Sequence, residues 1–97
     1  MKKNQYEKIE AYEGLLEELK LQLLELSVAR DLARRMEATL RQRLQKASPP
    51  HRRMYYHKHL DLLLEGLSVL ERGSNAVSNN IDYYQSRFEQ YLMGVEP

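Results

Sequence analysis

Through the second half of the chain, apolar and aromatic side chains recur at alternating steps of four and three: Tyr56, Leu60, Leu63, Leu67, Leu70, Val77, Ile81, Tyr84, Phe88 and Tyr91. Ser74 keeps the place between Leu70 and Val77, so ten of eleven seam positions are apolar or aromatic. Such a step averages 3.5 residues, the period of a helix that buries one narrow stripe against another helix. The stretch "RGSNAVSNN" has the Gly, Ser and Asn content of a loop. Yet the phase of the seam passes through it without a slip, and a connecting loop has no reason to preserve phase. A continuous helix is therefore expected, softened where Gly73 and the asparagines each lower helix stability by several tenths to about 1 kcal/mol relative to Ala.

The first half is dense in Leu, Glu, Lys, Arg and Ala, all good helix formers, and from Tyr6 to Lys46 it contains no Pro and only Gly14. Asn4 and Glu7 have the spacing of a capping box. At "ASPPHRR" Pro49 and Pro50 remove two backbone donors and disfavour helical geometry in the residue before them, while Ser48 followed by Pro49 suits a cap and a first helical position. The expected elements in residues 1–97, taken as one domain, are helix one over about 5–47, a turn at 48–50 and helix two over about 51–93.

An antiparallel hairpin pairs positions whose numbers add to a constant, here about 100 for a turn at the two prolines. Subtracting the helix-two seam from that constant predicts Ile9, Tyr12, Leu16, Leu19, Leu23, Leu26, Arg30, Ala33, Glu37, Leu40 and Leu44 on helix one, of which nine of eleven are apolar. The fold class is then all-α, a long antiparallel two-helix hairpin of coiled-coil character. Arg30 and Glu37 are the exceptions, and a buried charge is costly unless paired. They are expected to be paired or peripheral, Arg30 within reach of Glu71, with Ala29 and Met36 sliding into the seam beside them.

Two packed helices leave much of each helix uncovered. Leu21, Leu24, Val28 and Leu32 make a second stripe on helix one, and Leu62, Val69, Ala76 and Tyr83 recur every seventh residue on helix two. Left bare, these stripes form a larger apolar surface than monomers usually carry. Completion into a helical bundle, by dimerisation or by a protein partner, is expected, with Leu21, Leu24, Val28, Leu32, Leu62, Val69 and Tyr83 as the partner-binding residues.

Charge sharpens this expectation and opens a second one. Residues 30–59 hold nine Lys or Arg against Asp31 and Glu37, a net +7; the remaining six basic and twelve acidic residues give −6, and the whole chain is +1. Antiparallel association of two copies would set basic against acidic segments. The competing expectation is anion binding by Arg34, Arg35, Arg41, Arg52 and Arg53, as in a nucleic-acid-binding helical dimer. Those side chains point from several helix faces, and no recognised nucleic-acid motif accompanies them.

Catalytic and metal chemistry find little support. Cysteine is absent, which removes disulfides, thiolates and Cys-type zinc sites. His51, His57 and His59 lie close in sequence, but His57 and His59 are two apart and face different sides of a helix. "LLELSVAR" with the following Arg41 is similar to the first helix of small all-helical chorismate mutases. That resemblance would imply a cationic active site in a helical dimer, but "YEKIEAYEG" offers no arginine for a substrate carboxylate. Tyr6, Tyr12, Tyr83, Tyr84, Phe88 and Tyr91 are expected to gather near the chain ends as packing aromatics.

A proline-turned hairpin of this size is similar in shape to small bacterial secretion-system proteins. Type III needle subunits and their helical co-chaperones are hairpins, and type VII substrates turn near the middle. This chain departs from the first in lacking a spaced Pro pair, and from the second in lacking Trp for a W-x-G turn. No apolar run approaches the roughly 18 residues of a membrane span. Nor does "MKKNQYEKIEAYEG" have the apolar core of a Sec signal. The expectation is a cytoplasmic, non-enzymatic protein-protein interaction module without cofactor or metal, of chaperone or adaptor type, with signal-less secretion open.

Overall fold

The computed structural model describes residues 3–94. Met1, Lys2 and residues 95–97, which the sequence assigns to the ends of the same domain, lie outside the described residues. Two helices account for the fold: α1, Lys3–Lys46, and α2, Pro50–Leu92. The stretch "RGSNAVSNN" is helical throughout, so α2 runs through its Gly and Asn positions without a break. The fold is all-α, a two-helix antiparallel hairpin, as the seam arithmetic predicts.

The capping details differ from expectation by about one residue. Asn4 lies inside α1 and so does not cap it. At the turn, the Pro49 carbonyl accepts from the backbone N–H groups of Arg52 (3.1 Å) and Arg53 (3.2 Å). That makes Pro49, and not Ser48, the half-helical cap, and puts Pro50 at the first helical position, where a missing N–H costs nothing. The end of α1 tightens through Ala47 N–H donating to the Leu44 carbonyl at 3.3 Å, an i to i−3 bond typical of a last turn. Beyond α2, Gly94 adopts φ +80°, and its N–H reaches the Tyr91 carbonyl at 3.1 Å. Gly serves as a left-handed C-terminal cap because it has no Cβ to clash there.

The chain divides into two units, one of residues 1–25 with 74–97 and one of residues 26–73. In the first unit, α1 meets α2 through aromatic contacts. Tyr12 stacks on Phe88 at 5.4 Å between ring centroids and lies 6.0 Å from Tyr91. The Lys8 ammonium sits over the Tyr91 ring at 5.1 Å. Rising numbers on α1 meet falling numbers on α2, which fixes the antiparallel direction. Leu16, Leu19 and Ser74 are the buried residues of this unit.

In the second unit, the buried residues are Ala33, Leu60 and Leu67. A Cβ placed on Gly73 would lie 3.8 Å from both δ-carbons of Leu26, ordinary van der Waals contact. All twenty-two seam positions, eleven on each helix, are buried or half-buried. The seam is nevertheless thin: its most enclosed member, Leu67, still keeps 4% of its surface exposed. A two-helix seam has water on both flanks, and most of its positions are only half-buried.

Of the two polar seam positions, Glu37 is paired as expected, whereas the contact expected between Arg30 and Glu71 is made by a different arginine. Glu37 is taken up by its own helix, accepting from Arg41 Nε at 2.9 Å one turn on. Glu71 pairs with Arg34 Nη2, not with Arg30. Met36 does not slide into the seam but stays 50% exposed, because Ala33 and Glu37 already occupy the inward positions around it. Ala29 and Arg30 are both half-buried.

Candidate functional site

Two surfaces stand out once the seam is accounted for. The first is apolar. A helix presents residues three and four apart on one face, and with the seam directed at the partner helix the off-seam positions are left to solvent. In the second unit, Val28 and Leu32 of α1 and Leu62 and Val69 of α2 are all more than half exposed, Leu62 reaching 66%. In the first unit, Leu21, Leu24 and Tyr83 are likewise more than half exposed, and Ala76 is exposed. Every residue of the two off-seam stripes therefore faces water in the single chain. Tyr83 carries a further contact, with the Arg87 guanidinium 5.6 Å over its ring and Tyr84 edge-on at 5.1 Å. The other aromatics divide: Tyr12, Phe88 and Tyr91 form the packed cluster, while Tyr6 remains exposed.

The second surface is basic. From Ala38 to Leu60 there are six Lys or Arg and no Asp or Glu at all. Within this stretch Arg43, Lys46, Ala47, Arg52 and Tyr56 line an open cavity of about 180 Å³. Arg43 and Lys46 are the basic residues of the last turn of α1, where the carbonyl end of a helix favours positive charge. Arg52 and Tyr56 are one turn apart at the start of α2.

The five arginines considered from sequence do not line a common cavity. Arg34 and Arg41 are engaged by Glu71 and Glu37. Arg35 and Arg53 are exposed and do not line the cavity, and only Arg52 does. Its companions Arg43, Lys46 and Tyr56 are not among the anion-binding candidates read from sequence, although the signal is present. Arg43 and Lys46 are spaced i, i+3, Arg52 and Tyr56 i, i+4, and the numbers across the turn add to about 100, the rule that pairs the two helices.

The histidines make no cluster. His51, His57 and His59 are all exposed, and His59 lies against its own helix neighbour Tyr55, 4.3 Å between rings. Among the described residues no three His, Cys, Asp or Glu side chains gather as metal ligands would. No described helix is long and apolar enough to cross a membrane. No protein-family model matches the sequence, and neither a curated protein nor a solved structure matches it.

Proposed function

We propose that this chain is a non-enzymatic protein-protein interaction module that associates with a second copy of itself through its off-seam apolar stripes. One observation carries the proposal: Val28, Leu32, Leu62 and Val69, within one unit, are all more than half exposed while the seam beside them is closed. Covering such side chains is worth roughly 25 cal/mol per Å² of apolar surface, and a second hairpin is the simplest cover for a face of a two-helix fold.

Charge favours a second copy as the occupant. Residues 26–73 hold ten Lys or Arg and five Asp or Glu, a formal +5, and the other unit holds five and nine, a formal −4. A partner that sets its acidic unit against the basic one satisfies both, whereas a parallel arrangement sets like against like. The specific form we favour is a small cytoplasmic chaperone or adaptor of a bacterial secretion or assembly system, a role supported by analogy of architecture.

Light scattering behind size exclusion at tens of micromolar tests the proposal. A dimer that weakens on Leu24→Glu or Val69→Glu, with helicity retained, is the expected result. A stable, strictly monomeric protein at that concentration overturns it.

A second reading, a nucleic-acid-binding helical dimer, draws on the carboxylate-free stretch from Ala38 to Leu60. The capture of Arg34 and Arg41 by Glu71 and Glu37 weakens it. Steep salt dependence of binding to DNA or RNA is its signature, and lack of retention at low salt removes it.

A further inference from the structure

We infer that the cavity at the proline turn is a binding site for a small phosphoryl anion, held by Arg43, Lys46, Arg52 and the Tyr56 hydroxyl. Arg43, Lys46, Ala47, Arg52 and Tyr56 line about 180 Å³ of open space, and not one carboxylate lies between Ala38 and Leu60 to neutralise the three cations. Among the described residues, the Arg34–Glu71 and Arg41–Glu37 pairs leave these three cations untouched.

Placement adds a second argument. Arg43 and Lys46 have a local reason to be where they are, since they meet the carbonyl end of α1. Arg52 has the opposite: it stands in the first turn of α2, at the positive end of that helix, where no acidic residue accompanies it. Like charges brought together there repel, and an anion seated among them turns that repulsion into attraction.

The donor set suits a phosphoryl group in particular. Two guanidinium groups offer planar paired N–H donors, the ammonium adds a point charge, and the phenol O–H supplies a neutral donor. The space is open to solvent, so a soluble phosphate or diphosphate is the ligand class. The site lies within one unit and needs no second copy of the chain.

Titration of the full chain with inorganic pyrophosphate, followed by amide chemical shifts at low salt, tests this. Saturable shifts confined to residues 43–56 are expected. Arg52→Gln and Arg43→Gln should each weaken binding about tenfold, and Tyr56→Phe about threefold, with helicity by circular dichroism unchanged. Lys58→Gln, which removes the same charge from the same basic stretch but does not line the cavity, should alter affinity less than twofold. Non-saturating shifts spread across the stretch, or a Lys58→Gln loss equal to that of Arg52→Gln, would overturn the site in favour of diffuse charge. A single-stranded oligonucleotide that binds with equal affinity in the wild type and in Arg52→Gln, and displaces pyrophosphate, would overturn it in favour of nucleic acid.

Discussion

Tyr12 of α1 stacks on Phe88 of α2, their ring centroids 5.4 Å apart and their planes inclined by 21°. The two numbers add to the constant that the proline turn dictates, so this aromatic pair sets the register of the first unit, and with Lys8 over Tyr91 it gives the direction. An offset-stacked pair is worth about 0.5–1.5 kcal/mol beyond the area it buries. A double-mutant cycle with Tyr12→Leu and Phe88→Leu, read by urea denaturation, should give a coupling energy in that range. Coupling near zero would mean the rings are neighbours without being partners.

Gly73 lies in α2 with room for a methyl group. A Cβ there would meet only the δ-carbons of Leu26, at 3.8 Å, and at Gly66 it would meet nothing within 4 Å. Neither position needs the backbone freedom of glycine, because both are ordinary helix. Gly73→Ala and Gly66→Ala should each stabilise the fold by about 0.5–1 kcal/mol through helix propensity and reduced unfolded-state entropy. The check is a rise in the urea midpoint at unchanged slope. Destabilisation by Gly73→Ala would show that Leu26 packs against the α2 backbone more tightly than van der Waals contact requires.

Much of the hairpin was legible because a single signal is repeated many times. Eleven positions on α2 predicted eleven on α1, and none of the twenty-two is exposed. Burial at Leu16, Leu19, Leu60 and Leu67 follows directly from that period. What the period does not encode is the path of a long side chain. Arg30 and Arg34 lie one turn apart, the seam arithmetic points to Arg30, and the structure pairs Arg34 with Glu71. Met36 was expected inward because it is apolar, yet composition alone does not decide which way a position faces. The basic cavity was half legible: Arg52 was named, but three of its partners become neighbours only once the turn closes the two helix ends together.

The Arg34–Glu71 pair should contribute little to stability despite linking the two helices. Its side chains are 56% and 46% exposed, so water and salt screen most of the attraction, and exposed pairs typically give about 0.2–1 kcal/mol. A double-mutant cycle with Arg34→Gln and Glu71→Gln should return less than about 0.5 kcal/mol at low salt. The coupling should fade further as sodium chloride is raised to half molar. Coupling that survives that salt concentration would indicate a pair far better shielded than its exposure implies.

Ser74 poses a different problem, because it is the polar member of an otherwise apolar α2 seam. The residue is 6% exposed, and among the described residues its buried hydroxyl oxygen has no hydrogen-bond partner. Burying an unsatisfied hydroxyl costs about 1–3 kcal/mol. Ser74→Ala deletes that group, raises helix propensity and opens only a small void, since one oxygen is lost. The substitution should therefore raise unfolding free energy by about 1 kcal/mol, measured by urea denaturation, whereas Val77→Ala, an apolar truncation one step along the same seam, should lower it. If Ser74→Ala destabilises instead, the hydroxyl has found a partner in solution, and the seam at this level is held by a hydrogen bond rather than weakened by an orphan.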